Sequence, residues 1–327
     1  MKKIKIDGFI LALLLVIVIA YLFPQLNEIQ NGELLETIST IGVSLIFFFY
    51  GLKLSFADIK TGLSNWKLHV LIQSITFILF PLIILAFRPF VQTYMQEQFW
   101  LSFFFLAALP STVSSSVVMV SIAKGNIPAA IFNASLSGLI AVIVTPLWMS
   151  LFLDFENVDI LGDVYLGLIK EIIVPIILGL LLQKYWGKWA TKYSKALAKF
   201  DKAVILLIVY MSFAESFTSG VFENIGKIYL IGIFVGVIAL FFLVYGLIDL
   251  LCTKVFHFNR EDRITALFCG SKKSLTHGSV FGKFLFANSA NAGLYFLPLM
   301  IYHAFQIFVI TLIAQRYGKE EPTKNKV

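Results

Sequence analysis

Hydrophobic residues fall in ten runs along the chain, at 8–23, 37–54, 68–87, 99–122, 128–153, 161–183, 203–217, 228–256, 264–286 and 294–315. A helix needs ~20 apolar residues to cross a hydrocarbon core of ~30 Å, so each run predicts a membrane-spanning helix. The seventh is short for a full span, which predicts that it extends to either side or is interrupted near its outer end. Most runs hold few polar residues. The fourth and the ninth are cut through the middle.

The ninth run contains Gly270-Ser271-Lys272-Lys273-Ser274-Leu275-Thr276-His277-Gly278. At 1.5 Å per helical residue, Lys272 would lie roughly 13 Å in from Arg263, close to the bilayer centre. One charge there costs ~2.5–3.5 kcal/mol on insertion scales, and two adjacent ammonium groups repel each other. Both directions are long for snorkelling. The segment must therefore face protein, water or a bound anion, and irregular backbone at this depth requires a protein-lined or cavity-lined setting. It reads as a discontinuous helix at a transport site. The fourth run holds Pro110, with Ser111, Thr112, Ser114, Ser115 and Ser116 after it. Pro110 removes a donor and clashes with the preceding turn. Taken alone, the hydroxyls fit helix–helix packing equally well. Set against the ninth run, they predict two broken helices whose half-helix ends meet near the midplane, N-termini drawing anions and C-terminal carbonyls drawing cations.

Composition agrees with the runs. The 327 residues are 59% hydrophobic and 14% charged, with mean hydropathy +0.87, which implies an all-α polytopic membrane protein. The net charge of +7 comes from lysines in short loops, as orientation signals do, and does not imply nucleic acid. With both termini inside, twenty of the 26 basic residues fall on the inner side and only Arg88 and Lys227 on the outer, where Glu28, Glu33, Glu36, Asp154, Glu156, Asp159 and Asp163 gather. The expectation is a plasma (inner) membrane protein with cytoplasmic termini. The start, Met-Lys-Lys-Ile-Lys before an apolar run, resembles a signal peptide without a cleavage site and reads as a retained first helix. Cys252 and Cys269 imply neither metal ligation nor a disulfide.

The whole chain, 1–327, reads as one transmembrane transporter unit. Helices 1–5 lie at 8–153 and helix 6 at 161–183. A basic cytoplasmic loop follows at 184–202, then helices 7–10 at 203–315 and a tail at 316–327. The basic stretch divides the chain into five and five. An odd number forces the second half to run opposite to the first, so two inverted five-helix repeats are expected, with the fourth helix of each broken and the two crossing.

Other polar residues inside the runs are candidates for the site. Asn133 and Ser137 are four apart and share a helix face, with Ser135 between them, and Gln73 lies in the third run. His303 and Gln306 fit hydrogen bonding between helices better than a site. Pro81, Pro146, Pro175 and Pro298 read as kinks. Glu171 and Glu215 are the carboxylates best placed to neutralise a lysine, although Glu171 also has Lys170 beside it. The candidate substrate- and ion-binding set is thus Gln73, Ser114, Ser115, Ser116, Asn133, Ser135, Ser137, Ser271, Lys272, Lys273, Ser274 and His277. An enzyme is not expected: no His-Glu-x-x-His or Gly-x-Ser-x-Gly motif is present, and Ser274 with His277 makes a nucleophile pair by spacing alone.

The stretches Leu68–Gln73 with Phe80-Pro81, Val113-Ser114-Ser115, Gly125-Asn126 with Ala129–Asn133, Val144–Leu147, Phe268-Cys269 with Lys273–Thr276, and Pro298–His303 with Gln306 together resemble the bile acid:sodium symporter (solute carrier family 10-like) family. Within it the chain is most similar to the divergent branch associated with calcium homeostasis. The resemblance implies ten helices in a core and a panel domain, and sodium-coupled uptake of an organic anion across the plasma membrane. It places Ser115, Ser116 and Gln73 near sodium ligands. Lys272 and Lys273 follow the stretch where the family's ninth-helix glutamate would stand, and Ala130 and Ala134 fall where fifth-helix hydroxyls would be. Sodium, the one ion implied, therefore meets a fixed ammonium that opposes it. Either a lysine stands in for the ion or a lysine cycles its proton. The expected partners are the bilayer and a small organic anion. The alternative, resting on the branch alone, is a non-transporting regulator of calcium influx acting through a protein partner.

Overall fold

The computed structural model describes residues 8–27, 33–53, 65–112, 114–153, 158–220, 223, 226–287 and 289–319. Expectations placed on Lys2, Lys3, Lys5, Glu28, Lys60, Val113, Asp154, Glu156, Lys324 and Lys326, and on the side chains of Ser114 and Asp159, lie outside them. The described chain is helical throughout, with no strand among the described residues.

Helices α1 (Gly8–Leu22) and α2 (Glu33–Lys53) come first. Helix α3 runs Trp66–Ser74, widens into a π turn at Ile75–Leu79, and resumes at Phe80–Leu85. The fourth element is in two pieces, α4a (Tyr94–Ala108) and α4b (Ser114–Ile122). Helix α5 is Ile127–Met149. Helix α6 runs Val158–Leu168, a π turn Ile169–Ile173, then Val174–Lys192. Helix α7 is Ser194–Thr218, and α8 is Lys227–Leu250 with a π turn Leu251–Val255. The ninth element is again in two pieces, α9a (Arg260–Gly270) and α9b (Leu275–Leu285), and α10 is Ala292–Lys319.

Six of these stretches are long and apolar enough to cross a membrane. Their outer faces carry large apolar side chains in the open, Leu181 at 69% and Ile228 at 77% exposure. Patches of this extent are unfavourable in water and natural against lipid. The seventh element extends toward its N-terminus, as one of the expected outcomes had it. It absorbs much of the basic stretch 184–202, which is helical except at Tyr193 instead of forming a loop. Lysine and alanine are good helix formers, and no proline interrupts them there.

Two features bring the helices close. A Cβ at Gly51 would strike the carbonyl of Ile176, and one at Gly179 the carbonyl of Phe48, so α2 and α6 touch main chain to main chain. The π turns of α3 and α6 each end two residues before a proline, Pro81 and Pro175. Proline lacks the N–H that would close the ordinary ladder, and the helix slips register to compensate.

Candidate site where two interrupted helices meet

The interruptions around 109–112 and 271–274 lie against each other. Ser274 N–H donates to Pro110 O at 2.9 Å, Ser111 Oγ to Cys269 O at 2.6 Å and Ser116 Oγ to Phe268 O at 3.3 Å. A helix end buried in apolar surroundings must satisfy its last carbonyls, and here the neighbours do so. Ala108 O accepts from Thr145 Oγ1 at 2.7 Å, and Ser137 Oγ accepts from Ser111 N at 3.0 Å. Tyr302 Oη donates to Ser271 O at 2.6 Å. Gln306 binds both main-chain groups of Lys273, accepting from its N–H at 2.8 Å and donating to its carbonyl at 2.7 Å. Helix α10 thus holds the second gap open.

Both lysines are fully buried. Lys273 Nζ donates to three main-chain carbonyls, Thr76 at 3.0 Å, Ala107 at 2.7 Å and Leu109 at 2.8 Å. It also sits 4.0 Å from the centre of the Phe80 ring. Ala107 and Leu109 supply the carbonyl end of α4a. Thr76 is free for another reason: Phe80 N–H bonds Ile75 O across the π turn, and Pro81, next in line, has no N–H. The adjacent orphan, Phe77 O, takes Trp148 Nε1 at 2.8 Å.

Lys272 points elsewhere. Its Nζ donates to Ser115 Oγ at 2.7 Å, and that hydroxyl donates to Thr112 Oγ1 at 3.0 Å. Thr112 in turn pairs with Ser116 at 2.9 Å. Among the described residues the bond to Ser115 is its one hydrogen bond, where an ammonium has three to give.

A cavity of about 520 Å3 reaches this place. Its wall includes Thr112 and Ser115 from the first gap, and Ser274, Thr276 and His277 from the start of α9b. Lys53, Asp201 and Lys202 border it near the ends of α2 and the basic stretch, and Asp201 Oδ1 is buried without a hydrogen bond among the described residues. Tyr50, Ser135 and His303 add further polar groups, and the remaining wall is apolar, from Phe9, Ile46, Phe47 and Ile205 among others.

Of the expected set, Ser115, Ser135, Ser274 and His277 line the cavity, with Lys272 behind Ser115. Ser116, Ser137 and Ser271 bond within the gaps, Ser271 Oγ to Leu267 O at 2.6 Å. Ser114 opens α4b. Gln73 and Asn133 form a separate cluster: Gln73 Nε2 donates to Asn133 O at 3.1 Å and Oδ1 at 3.2 Å, and Asn133 Nδ2 meets His69 Nδ1 at 2.7 Å. Gln73 Oε1 is buried and has no hydrogen bond among the described residues. His303 sits beside Gln306 at 3.2 Å and also lines the cavity. Ser274 caps α9b by accepting from His277 N at 3.2 Å, and its Oγ lies 3.0 Å from His277 Nδ1. No carboxylate contacts that ring among the described residues. A Cβ on Gly138 would come 2.8 Å from His277 Nε2, so the ring is pressed against α5.

Sequence reasoning did not single out Thr76, Ala107 or Leu109, because a main-chain carbonyl has no residue type to betray it. Pro81 carried the available signal. Lys53 and Asp201 did not stand out from the other charges at helix ends.

The chain matches the SBF-like CPA transporter family over residues 7–319. It is 37% identical to PA2026 of Pseudomonas aeruginosa over 318 residues, 96% of this chain and 93% of that one. It is 33% identical to YfeH of Escherichia coli over 325 residues, 98% and 96% of the two chains. Identity to sodium/bile acid cotransporter 7-B of Xenopus laevis is 30% over 315 residues, 94% and 91%.

Proposed function

This chain belongs to the SBF-like CPA transporter family, a family of transporters and not of enzymes, and from that premise we propose that it is a secondary active transporter of an organic anion. It works by alternating access in the plasma (inner) membrane, with both termini in the cytoplasm. The proposed architecture is ten spanning helices in two inverted repeats of five. The halves of the fourth and ninth cross at the gaps, and core helices move against a panel. The carrying observation is the cavity that ends on two interrupted helices with a buried, under-bonded ammonium behind its wall.

Three features favour an anion. Lys272 supplies positive charge at bilayer depth. The first N–H groups of α9b add a partial positive charge next to Ser274 and Thr276. The apolar part of the wall, from Phe9, Ile46, Phe47 and Ile205 among others, suits a hydrophobic body, as the bile acid in the relatives' name would supply. Sodium is a less natural companion. The hydroxyl of Ser115 is already taken by an ammonium, and that of Ser116 donates to Phe268 O. Gln73 presents its free carbonyl oxygen in a different cluster.

The test is uptake of radiolabelled taurocholate by proteoliposomes of the purified chain, with sodium, proton or no gradient imposed. A saturable accumulation that Lys272→Met abolishes is expected. Uptake equal in wild type and Lys272→Met would overturn the assignment of Lys272. Absence of accumulation for taurocholate and for a panel of carboxylate, sulfonate and phosphate anions would overturn transport itself.

A further inference from the structure

We infer that the ammonium of Lys273 is a resident monovalent cation, tethered in a carbonyl cage that joins the two interrupted helices, and that it takes the place of a coupling ion there. The inference rests on the reading of these gaps as the transport site, but its chemistry is independent of the solute.

The cage is defined by its acceptors. Thr76 O, Ala107 O and Leu109 O stand 2.7–3.0 Å from one nitrogen. Carbonyl oxygens only accept, so three of them need three N–H donors on that nitrogen. An ammonium has three. A neutral amine has two and would turn its lone pair on the third oxygen. The face of Phe80, 4.0 Å away, is the negative face of a ring quadrupole and again selects a cation. The lining thus consists of main-chain oxygens and a π face, the kind of surround that holds a bare monovalent cation in place of its water.

The same cage explains the fold around it. Three carbonyls from two helices would repel one another if left empty, and each would be an unpaired acceptor in a buried interior. A free ion could cancel this and later leave. Lys273 cannot leave, because Gln306 grips its main chain at both N–H and carbonyl. The charge therefore stays through a transport cycle. The site that would tie α3, α4a and the second gap together only when an ion binds is tied at all times. Lys272, one residue earlier and on the cavity side, remains the charge that answers to the solute.

The experiment reads the thermal unfolding midpoint of the purified full chain in detergent, at fixed ionic strength, in choline, sodium, ammonium or methylammonium chloride. Wild type is expected to give one midpoint in all four salts. Lys273→Gly is expected to unfold several degrees lower in choline and to recover a large part of that loss in ammonium or methylammonium, which fit the emptied cage. Choline is too large to enter. Lys273→Met keeps the length of the side chain and loses the charge, and is expected to be destabilised in every salt because it blocks the cage. A Lys273→Met chain with the wild-type midpoint would overturn the inference, whether or not Lys273→Gly is recovered folded. So would a Lys273→Gly chain indifferent to all four cations, or a saturable sodium stabilisation of wild type that persists in Lys273→Met. Taurocholate uptake does not enter these readouts, so a chain that fails to transport still reports on the cage.

Discussion

Lys272 and Lys273 are neighbours with the same side chain and the same full burial, yet they stand in opposite surroundings. The second is saturated by three carbonyls and a ring. The first has one hydroxyl, which borders a cavity. Both sit in the gap of the ninth element, outside helical geometry, where successive side chains are free to leave on different sides. In an unbroken helix, adjacent residues diverge by only about 100°, and one stripe would hold both. In the proposed function, the gap lets one short stretch serve as a structural cation on one side and as a charge kept for a solute on the other.

The comparison breaks most severely if the grip on the gap is removed. Gln306→Ala strips partners from the N–H and the carbonyl of Lys273. Leaving a buried polar group unpaired costs about 1–3 kcal/mol for each group. Tyr302→Phe strips one group, the buried Ser271 O, and by the same measure should cost about 1–3 kcal/mol in total. Denaturant titration in detergent should therefore rank Gln306→Ala well below Tyr302→Phe. Equal stabilities would mean that the gap holds its shape without α10.

A third lysine, Lys283, is only partly buried and is held differently. Lys283, on α9b, donates to Thr40 Oγ1 of α2 at 2.6 Å and pairs with Glu171 of the α6 π turn at 3.1 Å. Both side chains are about one-eighth exposed, so the pair is largely withdrawn from solvent. It is held by side chains of three elements, whereas the Lys273 cage is main chain. Removing one partner of a fully buried pair strands the other charge at about 3–5 kcal/mol, and less is expected here because each side chain keeps some exposure. Removing both with apolar residues of similar size is close to neutral. Lys283→Met and Glu171→Met should each lower stability, and the double substitution should recover most of the loss. Lys273→Met has no carboxylate whose deletion could compensate it. A double variant as unstable as the two single losses added together would show that Lys283 and Glu171 act separately.

Much of this was legible before any coordinates. Lysines at bilayer depth in one apolar run, and Pro110 among hydroxyls in another, are conflicts that a continuous helix in lipid does not tolerate, and they mark the two gaps. Glu171 was visible as a carboxylate able to neutralise a lysine, although Lys170 next to it competed for the assignment. The division of labour between Lys272 and Lys273 was not legible, since the two letters are identical and the cage that separates them is made of carbonyls. Pro81 marked a kink, but only the register of the π turn shows that the kink frees Thr76 O for the ammonium. Gln306 read as structural glue, and its partner proves to be the main chain of Lys273. The stretch 184–202 read as a loop from its charge, whereas charge on a helix face is compatible with helix, and its propensities favour one.

The smallest effect on stability is expected where the functional effect is greatest. Lys272→Met withdraws a buried charge that has one hydrogen bond to offset its desolvation. Replacing a poorly compensated buried ion with an apolar side chain of similar length is often neutral or stabilising, so the unfolding free energy should change by less than ~1 kcal/mol. Ser115 keeps its bond to Thr112, and the cavity keeps its wall. What is lost, in the proposed function, is the charge offered to an anion. Removing one member of a buried charge pair costs about 2 kcal/mol or more of binding, which corresponds to at least ~30-fold in affinity. Taurocholate half-saturation in proteoliposomes should therefore rise by that factor or uptake should vanish, at an unchanged melting midpoint. If Lys272→Met instead lost stability as Lys273→Met is expected to, the two lysines would be equivalent struts, and the solute would have to be held by the start of α9b alone.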